Sequence, residues 1–365
     1  MKIEQPIKSG EKYYAFDSHK LIYHMERVYA HFREGQRIYP LHIDIGATKK
    51  CNIKCVYCYG VFQKMTGDII PAQVLVQLFR DAPTLGIKAL TLTGDGEPTL
   101  NPAVYEAVNV GKKGGLDIGF ATNGVALTSD KIRVLLNSCT WLRFNLSAVD
   151  QDTYKTIHGV NLWSKVQDNI WTTVKLKKEI KSNCTIGLQM VLIPEALPQV
   201  IPEALFAIST GVDYFVIKQF SDPGCEEMSR FKLDWYDNPE VMETLKLAES
   251  MSNEYTQIVP KWDMIHSKGV RKYDHCYDCP LLFQISGSGK CYPCGYLFNN
   301  DRFCYGDLHK QSLKEILDSE HYWSIIKFMR ESFNVNKDCS GCCRHDFTNK
   351  FIYDYLHPPE HLSFI

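Results

Sequence analysis

An α/β fold with a parallel sheet, followed by a small cysteine-rich α+β module, is what this sequence predicts. Three observations carry that expectation. Between residues 41 and 220, short β-rich runs alternate with amphipathic helical stretches six times, the pattern of βα units on a parallel sheet. The chain has 365 residues, 45% of them hydrophobic and 23% charged, which suits two domains or one large domain with an appendage. It also has 14 cysteines, most of them at 51–58 or in the last quarter.

The strands are read from β-branched and aromatic enrichment at 41–47, 88–94, 117–123, 141–147, 185–193 and 214–220. Helices are expected at 71–83, 102–113, 129–138, 164–181 and 201–209 from apolar spacing of three and four, several opening on Pro or Ser. A parallel sheet places its ligand-binding loops at the carboxyl ends of its strands. Every notable motif in this region falls just after a strand. Residues 276–294 hold two C-x2-C pairs around a hairpin, then come a loop, a helix and DCSGCC.

Several function classes are excluded at once. Lys plus Arg number 41 against 42 Asp plus Glu, a formal net charge of -1, so there is no global field for a nucleic acid or an acidic membrane surface. The N-terminal stretch has no apolar signal-peptide region, and no run approaches a membrane span. A cytoplasmic protein is expected. In a large chain of that kind, cysteines clustered at short intervals point to metal rather than to disulfides. Cys139 and Cys184 flank apolar runs and read as ordinary core residues.

Cys51, Cys55 and Cys58 follow the first strand as C-x3-C-x2-C. Three thiolates are one short of the four that close a zinc or iron–sulfur site. A coordination position is therefore left open for chemistry, unless a distant His or Cys completes a zinc site. CNIKCVYC resembles the cluster-binding signature of radical S-adenosylmethionine (SAM) enzymes, in which three cysteines hold a [4Fe–4S] cluster whose free iron binds SAM. The resemblance implies a partial (β/α)6 TIM-like barrel. It also implies that Tyr57 lies against the adenine and that TGDGEP (93–98) matches the Gly-Gly-Glu-Pro motif near the SAM amino group. Gly94, Gly96 and Glu97 keep that pattern, while Asp95 replaces a glycine. Asn123 in ATNG, Ser147 in NLSAVD and Gln189 in the fifth strand are further expected cofactor contacts, and Gly159 falls at the family's usual glycine. Each supporting motif taken alone is also an ordinary turn.

The C-terminal cysteines read as a zinc ribbon, by spacing, at 276/279/291/294. In arrangement they resemble the SPASM or shorter twitch domains of radical SAM enzymes, which implies an auxiliary [4Fe–4S] cluster on Cys276, Cys294, Cys339 and Cys342. Cys279, Cys291, Cys304 and Cys343 are left over, available to a second cluster. The expected organisation is an N-terminal extension (1–40), the partial barrel (41–235), a helical linker (236–270), the auxiliary-cluster module (271–350) and a tail (351–365).

The resemblance implies reductive cleavage of SAM to a 5′-deoxyadenosyl radical, abstraction of a substrate hydrogen atom, and electron transfer to the auxiliary cluster, hence an oxidoreductase. An electron donor such as flavodoxin or ferredoxin is implied as partner. Some 40 residues before the first strand are fewer than a leader-binding domain needs, so the expected substrate is a small polar metabolite such as a sugar, aminocyclitol or nucleoside. Peptide or protein modification and epimerisation are the alternatives, and a zinc or iron–sulfur protein without catalysis is the rival from another class. Lys218 on the sixth strand and Cys225 in the following loop are the candidate catalytic side chains.

Overall fold

The alternating apolar runs assemble into a parallel sheet in the computed structural model, which describes residues 18–341 and 343–364. After α1 (Met25–Phe32), the βα units run β1 (His42–Ile45), α2 (Ala72–Thr84), β2 (Ala89–Leu92), α3 (Val104–Lys113), β3 (Asp117–Thr122), α4 (Ser129–Ser138) and β4 (Trp141–Asn145). They continue with α5 (Gln151–His158), α6 (Trp163–Glu179), β5 (Thr185–Leu192), α7 (Val200–Thr210) and β6 (Tyr214–Gln219). Helix starts use the expected chemistry: the Thr128 side chain accepts from the Lys131 N–H and that of Asp150 from the N–H groups of Asp152 and Thr153.

The remainder comprises α8 (Pro239–Ser250), β7 (Gln257–Pro260), α9 (Trp262–Ser267), β8 (Leu282–Ile285), β9 (Lys290–Tyr292), β10 (Gly306–Asp307), α10 (Leu313–Asp318), α11 (Glu320–Glu331), α12 (Val335–Asp338) and α13 (Asp346–Leu356). Two strands of this part extend the barrel sheet. β7 lies parallel to β6, inside the segment expected as a helical linker, and β8 lies parallel to β1 with Asp44 opposite Gln284. The sheet order is therefore β10-β9-β8-β1-β2-β3-β4-β5-β6-β7, with β9 and β10 joined antiparallel. Among the described residues β7 and β8 are not paired, so the barrel is partial. An exposed edge on β1 is avoided because the auxiliary module's hairpin covers it.

Alternation along the strands separates a helix-covered face from the lumen. Ile118 on β3 points outward against Gly111 of α3, and Gly119 beside it points inward. The floor of the lumen is packed by two aromatic rings lying on glycines. A Cβ at Gly119 would come within 2.2 Å of the Trp141 ring, and one at Gly187 within 2.1 Å of the Tyr214 ring. Above Trp141 on β4 the same face carries Arg143 and then Asn145. Among the described residues no helix is long and apolar enough to cross a membrane.

Candidate functional site: a three-cysteine loop over the barrel mouth

The loop after β1 gathers Cys51, Cys55 and Cys58. Burial raises all three thiol pKa values, and proximity adds to it: Cys51 is pushed up to about 11, with Glu97 and Cys58 contributing, and Cys55 is raised further by Cys58 and Cys51. A buried trio of thiols that disfavour one another's ionisation is the donor set a cationic iron centre relieves, because thiolates are its ligands. Two of the sulfurs also meet nitrogen donors. The Asn123 amide lies 3.9 Å from Cys51 Sγ, and His158 Nδ1 lies 3.1 Å from Cys55 Sγ. These residues fit a [4Fe–4S] cluster with one iron left open.

The loop after β2 packs tightly under the cysteine loop. Gly94 has φ +148 and approaches Gly46, while a Cβ at Gly96 would sit 2.2 Å from the Thr48 carbonyl oxygen. Both glycines are thus required by contact between the loops. Glu97 is buried, and burial raises its pKa against the hydrogen bonds that favour its charge. Its Oε1 accepts from the Thr99 N–H and hydroxyl and from the Thr122 hydroxyl, and its Oε2 accepts from the Asn123 N–H at 2.7 Å. The carboxylate braces the β2 loop against the β3 loop, leaving at most one of its roughly four acceptor positions for a cofactor amine.

Asp95 corrects the expectation of a cofactor contact. Its side chain is buried and turned toward the β8–β9 turn, where it accepts from the Ser286 hydroxyl at 2.7 Å and the Gly287 N–H at 3.0 Å. Lys49 Nζ lies 3.8 Å from the same carboxylate, and both side chains are almost wholly buried. Lys49 also donates to the carbonyls of Gln63 and Lys64 and to the Asn299 side chain. The side chain that departs from the family's glycine is therefore a strut between the barrel and the auxiliary module.

Tyr57, Ser147 and Gln189 come together in one network. The Tyr57 hydroxyl pairs with Ser147 Oγ at 3.0 Å and accepts from the Asn145 amide at 3.0 Å; Gln189 donates to Asn145 Oδ1 at 3.1 Å. Asn145 is the hub, unrecognised in the sequence although it opens the NLSAVD motif. Lys218 lies on β6 opposite Val191, and Cys225 lines an open surface groove with Asp222, Ser229 and Lys232. The structure does not bring Cys225 into the cysteine loop.

In the auxiliary module, Cys276, Cys294, Cys339 and Cys343 form one group. Burial raises the Cys343 and Cys294 thiols, and the other members of the group raise them further. Cys342, the expected fourth ligand, lies outside the described residues, and the fourth thiol in the described group is Cys343. In DCSGCC a one-residue shift separates the two, and spacing alone does not choose between them. Arg271, unnoticed in the sequence, places Nη2 3.9 Å from Cys339 Sγ. Burial opposes its charge, yet Cys339, Cys343, Tyr273 and Asp346 around it together outweigh that and raise its pKa. Of the other cysteines, Cys291 on β9 is pushed up by burial and by Cys304, two residues before β10, and Cys279 donates toward the Cys276 carbonyl at 3.6 Å. Cys343→Ser should therefore lower the iron content of reconstituted protein by about four atoms per chain, whereas Cys291→Ser should leave it unchanged. Iron and acid-labile sulfide assays read the difference.

Just past Cys343 the chain enters the lumen. Arg344 pairs with Asp44 of β1 at 2.7 Å, Gln284 donates to the same carboxylate at 3.1 Å, and His345 pairs with Asp278 at 2.7 Å. Burial would raise the Asp44 pKa, but Arg344, His42, His345 and Arg143 around it hold it below the usual value. The lumen is thus charged and hydrogen-bonding, and the auxiliary cysteine group sits at its rim.

Comparison with known proteins agrees with this geometry. Residues 45–196 match the model of the radical SAM superfamily, and residues 281–343 match that of the SPASM iron–sulfur cluster-binding domain. A curated relative from Pyrococcus furiosus, the tungsten-containing aldehyde ferredoxin oxidoreductase cofactor-modifying protein, is 23% identical over 84% of this chain and 87% of its own length. A probable GTP 3′,8-cyclase from Pyrococcus horikoshii is 29% identical over 42% of this chain and 49% of its own. Among solved structures, Streptococcus suis SuiB bound to S-adenosylmethionine superposes with a TM-score of 0.63 at 17% identity, covering 88% of this chain and 77% of that one. SuiB bound to the precursor peptide SuiA gives 0.62 at 16% identity, covering 89% and 75%.

Proposed function

Because this chain belongs to the radical SAM superfamily and carries a SPASM auxiliary-cluster domain, we propose that it is an oxidoreductase acting on a small polar metabolite such as a sugar, aminocyclitol or nucleoside. When bound, a [4Fe–4S] cluster with SAM and at least one auxiliary cluster would supply reductive cleavage of SAM and an acceptor for the electron left on the substrate. The chain's own part is to hold and enclose. Cys51, Cys55 and Cys58 would hold the first cluster; Cys276, Cys294 and Cys339, with Cys342 or its neighbour Cys343 as the fourth, the second. Tyr57, Asn123, Ser147 and Gln189 are the proposed SAM contacts, and a flavodoxin or ferredoxin the proposed donor.

One observation carries the substrate class. Asp44, Arg143 and Arg344 give the lumen charged groups suited to hydroxyls and amines, and the Arg344 segment narrows it beside the auxiliary cysteines. Such a site recognises a small polar molecule by hydrogen bonds and keeps water from the radical. Peptide or protein-cofactor modification is the second reading, favoured by an open aromatic groove of Phe62, Tyr296, Phe298, Phe303, Phe328 and Phe333 at the module's surface. With reductant and SAM, 5′-deoxyadenosine formation should rise several-fold when polyols, aminocyclitols or nucleosides are supplied. Stimulation by a peptide fraction alone would sink the small-metabolite reading.

A further inference from the structure

We infer that His158 is a positioning residue that sets the reduction potential of the cluster held by Cys55, through a directed N–H···S hydrogen bond. The inference rests on the reading of Cys51, Cys55 and Cys58 as cluster ligands. It begins from the tautomer. His158 Nε2 accepts the backbone N–H of Ser147 at 3.2 Å, so that nitrogen presents its lone pair and carries no proton. In a neutral imidazole the proton is then on Nδ1. Nδ1 lies 3.1 Å from Cys55 Sγ, and the bond between them runs from nitrogen to sulfur.

The fold leaves this ring little freedom. His158 is completely buried at the last position of α5, and Gly159 follows as a left-handed cap with φ +71. A Cβ at Gly159 would fall 2.7 Å from the Lys54 carbonyl, so the helix end is pressed against the cysteine loop. The backbone ties the two together as well: the N–H groups of Lys54 and Val56, on either side of Cys55, donate to the carbonyls of His158 and Ile157. Tyr154 packs against the ring at 4.4 Å between centroids. Cys55 and His158 are therefore held in register by three independent contacts, not by a chance rotamer.

Reduction of an iron–sulfur cluster adds negative charge that spreads onto its sulfur ligands. A donor aimed at a thiolate stabilises the reduced form more than the oxidised one, and a buried site strengthens that difference. His158 thus raises the potential and eases reduction by the external donor. Ser147, which fixes the tautomer, also bonds Tyr57, so the same ring joins the cluster loop to the proposed SAM-binding network. Nothing in the C-x3-C-x2-C spacing calls for a histidine here.

The test is a redox titration of anaerobically reconstituted protein followed by electron paramagnetic resonance, using the signal that changes on adding SAM to identify the first cluster. His158→Phe should favour the oxidised cluster about tenfold, a fall of ~59 mV for one electron. His158→Asn, whose amide nitrogen can stand near the Nδ1 position, should recover part of that shift, and the auxiliary cluster's potential should stay in place in both. Unchanged potentials in variants that hold their full iron would overturn the inference. Failure of the wild type to give a SAM-responsive signal would instead overturn the cluster reading on which it rests. If the Phe variant does not fold, wild-type protein labelled with 15N-histidine decides the matter: pulsed resonance on the reduced cluster should detect a histidine nitrogen coupled through the sulfur, and its absence would overturn the proposal.

Discussion

Replacing Cys51, Cys55 and Cys58 together by alanine is expected to abolish 5′-deoxyadenosine formation and to remove about four iron atoms per chain. Alanine at these positions offers no ligand, and the described residues around the loop supply no other thiol; the ring nitrogen facing the loop, His158 Nδ1, carries the proton in the tautomer that the Ser147 N–H fixes through Nε2 and so has no lone pair for iron. The variant should keep its fold. Removing three thiols whose pKa values are raised by burial deletes groups that prefer the neutral form, so no uncompensated charge is created. The auxiliary iron should persist, since its cysteines lie in a different module. Reductant-dependent 5′-deoxyadenosine produced by the triple variant at the wild-type rate would end the assignment.

The largest effect on stability is expected from Lys49→Met, about 3 kcal/mol, the lower end of what removing one partner of a buried ion pair costs. The change takes from Asp95 its ion-pair partner beneath the β8–β9 turn and leaves the Lys64 carbonyl without its donor, while the Gln63 carbonyl keeps the Asn299 amide. Urea unfolding monitored by tryptophan fluorescence measures it. The pH dependence has a definite sign. Burial raises the folded-state pKa of Asp95 above its unfolded value, so its contribution is fully present below the unfolded pKa and is lost as pH rises through the folded one. Taking Lys49 away raises the folded pKa further and extends that penalty to higher pH. The gap between variant and wild type should therefore narrow on acidification from pH 8 to pH 5. A gap that stayed constant over that range would show that Lys49 acts through its carbonyl contacts alone. Adding Asp95→Gly to Lys49→Met should restore part of the loss, because the stranded charge goes with the side chain.

The six strands of the barrel were legible because each is a local run of β-branched and aromatic residues followed by a helix of the right period. The seventh was not, and the eighth was legible only as an arm of the hairpin between the two C-x2-C pairs. QIVP and LFQI are four residues each, too short to stand out, and what makes LFQI a barrel strand is its pairing with β1, a relation that no local pattern contains. The site divides the same way. Residue types and spacing identified the cysteine triplet, and the motif resemblance placed Tyr57, Asn123 and Ser147 near it. Side-chain direction was beyond reach: Asp95 sits in the expected motif yet points at Ser286, and Glu97 is tied to Thr99, Thr122 and Asn123. Lys49, Asn145, His158 and Arg271 were missed because each acts through partners distant in sequence. DCSGCC offered adjacent thiols, of which Cys343 lies near Cys276, Cys294 and Cys339 and Cys342 lies outside the described residues.

The parallel pairing of β8 with β1 also fixes a timetable for synthesis. Asp44 and its partner Gln284 are separated by 240 positions along the chain, which a ribosome moving at about 5–20 residues per second needs roughly 12–48 s to cover. Throughout that interval the nascent β1 has an open flank, the kind of edge on which neighbouring chains aggregate. Chaperone occupancy during translation, intolerance of truncation before β8 and a slow folding step are the outcomes expected from this one register.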